Sequence, residues 1–244
     1  MSLNTPSRRA LITGFVATVG GSAYYLRQSD GESTHEATQT ATSFHASDQT
    51  TAFGIELDGN PIIGSAEAPV DIYYWTDFQC PFCERFERET LPELTEEYVT
   101  TNRVRIVFIS LPYFGADSMT AAVASKCVWT QVRESESATY WNWHTAVFDE
   151  QGEKNSGWAS ADNLLEITRS VTGIDADRLE TCLADRRGEF EAQIEADTER
   201  AQSMEVAGTP TFVVFNPDTN VRNRIVGAQP IEQFTKAIKQ VENA

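Results

Sequence analysis

The chain has 244 residues, 41% of them hydrophobic, and carries 36 acidic against 19 basic side chains for a net charge of −17. That length allows one domain with a substantial core, or a smaller domain carrying a large insertion. A surface this acidic repels nucleic acid and anionic membrane, so neither is expected as a partner, and it has the character of a halophilic protein's solvation shell.

The N-terminus opens on Ser7-Arg8-Arg9, after which the chain stays uncharged from Ala10 to Leu26, about 17 residues. This is at the lower limit for spanning a bilayer and longer than most signal cores. Residues 1–27 are therefore expected to be a twin-arginine-type signal or an N-terminal anchor that places the protein outside the cytoplasm. Cleavage after Ala23 and retention as an anchor both stay open. Residues 28–52 are Ser, Thr, Gln, Asp and Glu with almost no apolar side chain except Phe44. Such a stretch cannot bury enough surface to offset its ordering entropy, so it is predicted to be a disordered tether in which His35 and His45 are solvated.

The folded part is expected over residues 53–244, starting near Phe53 with Gly59-Asn60-Pro61 as a turn. Val70 to Trp75 reads as a buried strand that delivers the chain directly to Cys80. After Cys83, the residues Phe86, Leu91, Leu94 and Tyr98 recur at helical spacing, predicting an amphipathic helix to about Thr100 that Pro92 kinks. Arg103 to Leu111 is a second buried strand, closing a βαβ unit. From about residue 115 to 204 the periodicity is helical throughout, with breaks at Gly152 to Ser156 and at Gly173 and with Ser160 and Asp175 as N-caps. Strands at Thr211 to Phe215 and Arg222 to Val226 follow, joined by Asn216-Pro217-Asp218, and then a helix from Ile231 to Val241. The fold class is α/β, with a large all-helical insertion set inside the α/β frame. His144, in Trp141-Asn142-Trp143-His144, is expected to lie on a helix surface or in the core, its aromatic neighbours packing the insertion against the frame.

Chemistry concentrates at Cys80-Pro81-Phe82-Cys83, placed between a predicted strand and a predicted helix. A thiolate is the species that attacks a disulfide, and the first cysteine at a helix N-terminus faces unpaired N–H groups and the positive end of the macrodipole. Cys80 is thus the candidate nucleophile, and Cys83, one turn on, the candidate resolving thiol. Pro81 sits where the helix begins and a missing N–H costs nothing. The chain holds four cysteines and no second CxxC to complete a zinc site, so neither a metal nor an organic cofactor is expected.

A second motif, Val206-Ala207-Gly208-Thr209-Pro210-Thr211, directly precedes a strand. Together, Asp77-Phe78-Gln79-Cys80-Pro81-Phe82-Cys83 and Gly208-Thr209-Pro210-Thr211-Phe212 resemble the DsbA-like branch of the thioredoxin superfamily, over roughly Gly54 to Val241. The resemblance implies a thioredoxin-like fold whose helical insertion lies between the second strand of the βαβ unit and the cis-proline strand. It implies that Pro210 is cis and that Gly208, Thr209 and Pro210 form the edge on which a substrate peptide docks. It also implies a structural disulfide between Cys127 and Cys182, which otherwise would be two buried, inert thiols.

Two positions depart from the family pattern. Phe82 stands where well-studied oxidases of the branch carry His, and Tyr74 where many thioredoxin-like proteins carry a buried acid. Asp77 is left as the nearest carboxylate, either for proton transfer or as a helix cap. The expected activity is protein thiol-disulfide exchange, most directly the introduction of disulfides into cysteine-containing secreted proteins, reset by an unidentified membrane redox partner. A reductase or isomerase, and a non-catalytic peptide- or metal-binding module, are the alternatives.

Overall fold

In the computed structural model the described residues are 44–244, apart from Ala46, Asp48, Ala52 and Ser135. The expected signal or anchor and most of the expected tether lie outside the described residues. Among the described residues no helix is long and apolar enough to cross a membrane.

Six strands form one sheet: β1 (Phe44–His45), β2 (Ile62–Ile63), β3 (Val70–Thr76), β4 (Val104–Ser110), β5 (Thr211–Asn216) and β6 (Val221–Val226). Their spatial order is β1-β2-β4-β3-β5-β6. Only β3 and β4 run parallel, from Val70 opposite Val104 to Thr76 opposite Ser110. The folded region thus begins earlier than residue 53, because Phe44 and His45 pair with Ile63 and Ile62 and Thr50 bridges Glu56. Backbone pairing along a sheet edge supplies order that the polar composition of this stretch did not announce.

Strand β3 explains the division of the core. Alternate side chains point to opposite faces, so Ile72 and Tyr74 enter one apolar cluster while Tyr73 and Trp75 enter the other. All seven residues of β3 are buried, Asp71 included, whose carboxylate meets Arg105 Nε at 2.5 Å and accepts from the Tyr73 hydroxyl at 2.9 Å. Burying that carboxylate is tolerable because both partners satisfy it.

The expected kinked helix after Cys83 is interrupted. It forms as α1 (Pro81–Glu89), α2 (Leu91–Leu94) and a π-helical turn over Thr95–Val99. Pro92 has no N–H to bond back along α1, so the helix stops and restarts with the proline in its first turn. Thr100 N–H then reaches the carbonyl of Thr95, five residues back.

Between β4 and β5 lie five helices, α3 (Ala116–Val132), α4 (Ser137–Asp149), α5 (Ala161–Ser170), α6 (Ala176–Asp185) and α7 (Arg187–Ser203); α8 (Ile231–Glu242) closes the chain. Ser160 and Asp175 cap α5 and α6 with their side chains. The buried ammonium of Lys126 on α3 donates to Gly59 O and Asn60 Oδ1 and faces Asp197 on α7, tying the 59–61 turn to the insertion.

Cys127 and Cys182 are bridged, joining α3 to α6 across 55 residues. Closing a loop of that length constrains the unfolded chain by about 4 kcal/mol on the loop-entropy model. The double variant Cys127→Ala/Cys182→Ala is expected to lose stability of that order. A lower denaturant midpoint in guanidinium, read against wild type, checks this.

Candidate active site

The strand-to-helix junction after β3 places Cys80 at the N-cap of α1, with φ −84° and ψ 115°. Its carbonyl already accepts from the N–H groups of Cys83 and Glu84, while its side chain projects past the helix end. The thiol donates to the backbone carbonyl of Thr209 at 3.3 Å. Thr209 precedes Pro210 across a cis peptide bond, so the two quoted motifs, 129 residues apart, meet at the Cys80 sulfur. Thr211 Oγ1 donates to Gly208 O at 2.6 Å, closing the turn, and Gly227 N–H, just past β6, donates to Pro210 O at 2.8 Å. A Cβ on Gly208 would meet nothing within 4 Å, which leaves this backbone edge open.

The two sulfurs are electrostatically unequal. The Cys83 thiol, donating to the Cys80 thiolate, is the main influence that lowers the Cys80 pKa to about 6, aided by Thr209 and the N–H groups of Cys83 and Phe82. The Thr209 hydroxyl is buried without a partner among the described residues, so it is free to turn its proton to the sulfur once the thiol ionises. Cys83 is fully buried, and that burial pushes its thiol well above the ordinary range, with the Cys80 charge adding to the effect. Iodoacetamide alkylation of the reduced protein should therefore climb through pH 6 and flatten by about pH 8, where an ordinary thiol is still gaining thiolate. A half-rate point near pH 8.5 would contradict that ordering of the two sulfurs.

Asp77, the carboxylate with two expected roles, accepts three backbone N–H groups. Oδ1 takes Gln79 at 2.8 Å, and Oδ2 takes Tyr113 at 2.6 Å and Phe114 at 3.3 Å. It straps the loop before Cys80 to the loop after β4, and the N-cap position itself belongs to Cys80. Burial pushes its carboxyl upward against those three bonds.

Four further residues hold the loop, and spacing in the sequence signals none of them. Buried Gln79 donates to Ser118 Oγ at 2.9 Å and accepts from Asn155 N–H at 2.7 Å. Gln151 donates to the carbonyls of Phe78 and Cys80. The insertion thus clamps the cysteine loop from its far side.

Among the described residues, three large apolar side chains stand exposed. Phe82 is 53% exposed, Tyr113 58% and Val226 61%. Phe82 lies in the cysteine loop beneath the Arg85 guanidinium at 5.2 Å, Tyr113 adjoins Asp77, and Val226 pairs with Thr211. Among the described residues, no three His, Cys, Asp or Glu side chains gather as a metal site.

A family model described as Thioredoxin matches residues 56–240. Disulfide bond formation protein D of Bacillus subtilis is 28% identical over 158 residues, 65% of this chain and 68% of that protein. The crystal structure of oxidised BdbD from Bacillus subtilis superposes with a TM-score of 0.66 at 24% identity, covering 82% of this chain and 99% of that one. Wolbachia pipientis alpha-DsbA1 gives a TM-score of 0.63 at 22% identity, covering 75% and 91%.

Proposed function

The chain belongs to the thioredoxin family as a DsbA-like thiol-disulfide oxidoreductase, and from that premise we propose that it introduces disulfides into proteins exported from the cytoplasm. The observation that carries this reading is the inequality of the two sulfurs, a Cys80 thiol held at about 6 beside a fully buried Cys83. A reduced pair that stabilises a thiolate is a poor reductant, because accepting electrons relieves the disulfide into a favoured state.

In this reading a substrate thiolate attacks Cys80 Sγ, the Cys80–Cys83 bond breaks, and a mixed disulfide forms. A second substrate thiolate then displaces Cys80, leaving the substrate oxidised and the enzyme reduced. Pro210 and Thr209 position the extended substrate segment, and Phe82, Tyr113 and Val226 favour unfolded chains whose apolar residues are still exposed. A membrane redox partner resets the pair, and residues 1–27 deliver the protein outward or tether it there.

The opposite direction, a reductase or isomerase, draws support from one feature: Phe82 offers no side-chain donor to the Cys80 thiolate. The equilibrium potential of the Cys80–Cys83 pair against glutathione tests the choice. A value toward about −120 mV supports oxidation, and one near about −270 mV would assign the chain to reduction.

A further inference from the structure

Between Val206 and Val241 the charge balance of the chain reverses, with Arg222, Arg224, Lys236 and Lys239 against Asp218 and Glu232. All four cations lie on β6 and α8 and are exposed. Among the described residues, β6 ends the sheet and pairs with β5 alone.

The register fixes which parts of β6 face outward. Gly227 N–H bonds Pro210 O, so in the antiparallel ladder Ile225, Asn223 and Val221 exchange bonds with β5 and the residues between them turn their main chain away. The N–H and C=O groups of Arg222 and Arg224 and the N–H of Val226 are thereby directed at the edge. Gln229 Nε2 donates to the Val226 carbonyl at 2.9 Å, closing the edge at its Pro210 end.

Side chains alternate about that edge. Val221 and Ile225 join the apolar cluster that holds Phe234 and Ile238 of α8, and Asn223 donates to Gln240 Oε1 at 2.5 Å. On the opposite face the Arg222 guanidinium lies over the Phe53 ring at 5.5 Å, and Arg224 donates to the Glu205 carbonyl at 3.0 Å. Between β6 and α8 runs a groove of about 530 Å³, lined chiefly by Asn223, Arg224, Gln229, Gln233, Lys236 and Gln240. No carboxylate lines it, in a chain with 36 acidic residues. Two stand at its margin: Glu205, 3.5 Å from Arg224, and Glu232, one turn before Lys236. The groove also adjoins the cysteine site. Val226 pairs with Thr211, next to the cis Pro210, and Arg85, whose guanidinium covers Phe82, donates to the carbonyl of Ala228.

Resting on the exchange reading above, we propose that the free edge of β6 docks an extended, acidic segment of the substrate protein. Outward main-chain groups recruit a further strand, and primary amides match both the N–H and the C=O groups that such a strand brings. Alternate side chains of the added strand face Arg222 and Arg224, and those between them face Lys236 in the groove. Carboxylates two residues apart therefore suit the arginine side, and cationic segments are repelled. The contact holds an acidic substrate beside Cys80 while its cysteines exchange.

The test is fluorescence anisotropy of a labelled, cysteine-free peptide with Glu at alternate positions, titrated with the full chain and compared with its Gln counterpart. The acidic peptide is expected to bind about 10-fold tighter at low salt, and the difference to shrink as salt screens the exposed pairs. Arg224→Glu/Lys236→Glu should abolish or invert the preference while the reduced protein still reacts with oxidised glutathione at the wild-type rate, since glutathione is too small to span the groove. N-methylation of alternate peptide N–H groups, made in both registers, should abolish binding in one of them, because that strand no longer pairs with β6. Equal affinity for the two peptides, or a preference that survives Arg224→Glu/Lys236→Glu, overturns the docking edge. Binding that tolerates methylation in both registers overturns it too, leaving charge attraction without an added strand. Joined to a cysteine pair, the acidic peptide should be oxidised by wild type with a kcat/KM above that of the Gln version by the same factor; equal values despite unequal binding would remove the edge from substrate selection. If neither peptide is oxidised at all, the exchange reading fails, which the anisotropy result does not depend on.

Discussion

Cys80→Ser is expected to bring the oxidative refolding of a reduced substrate protein down to the uncatalysed background while leaving the thermal transition in place. In the proposed exchange the loss is complete, because that reaction is covalent at this sulfur and a serine hydroxyl neither carries the disulfide nor ionises near neutral pH. No other sulfur can substitute. Cys83 has no exposed surface and its thiol is pushed upward by burial, and Cys127 and Cys182 are already bonded to each other. The fold should tolerate the change, since Cys80 holds the N-cap position of α1 without a side-chain cap bond and serine is among the residues favoured there. The measurement is reactivation of reduced ribonuclease in a glutathione buffer, compared with wild type, alongside a melting curve. A folded Cys80→Ser protein that still accelerates reactivation would remove the cysteine pair from the chemistry and leave a peptide-binding module as the better account.

Much of this site could be read from the chain because its parts are local or carry distinctive chemistry. A β-rich run ending at two cysteines three apart, followed by helical periodicity, puts the first sulfur at a helix N-terminus, and no distant residue is needed to see it. Strand β3, helices α5 and α6 with their caps, and the β5–β6 hairpin are likewise set by short-range signals. What escaped depends on contacts between segments far apart. The edge strand at Phe44 lies in a polar stretch, and its order comes from pairing with β2. Gln79, Ser118, Gln151 and Asn155 are ordinary polar residues until the insertion folds back on the cysteine loop. The buried pair of Glu87 and His144 joins residues 57 apart, and His144 was legible only as one ring among several. The break at Pro92 was foreseen in position but not in extent, since a missing N–H says that a helix is disturbed and tertiary packing decides whether it bends or restarts.

Cys83→Ala separates the two sulfurs in a way that no change at Cys80 can. When the reduced variant meets a disulfide, the Cys80 thiolate still attacks and the partner's thiolate departs, but no buried thiol stands behind to close the internal bond. The Cys80–partner adduct should therefore persist, visible as a stable mass increment, where wild type passes through it and ends oxidised. A second effect follows from the same contact. The Cys83 side chain is the largest influence holding the Cys80 thiol at about 6, so its removal should move the alkylation profile of Cys80 to higher pH. The remaining donors, Thr209 and the N–H groups of Phe82 and Cys83, keep it short of an unperturbed thiol. The sign can be checked independently through stability. In the reduced protein a Cys80 pKa depressed on folding contributes stability above its unfolded value and loses it as pH falls through about 6. Denaturation of the reduced wild type should show that loss, and Cys83→Ala should show it displaced upward and diminished. An adduct that resolves at the wild-type rate, or an alkylation profile that stays at about 6, would mean that Cys83 neither closes the disulfide nor sets the reactivity of its neighbour.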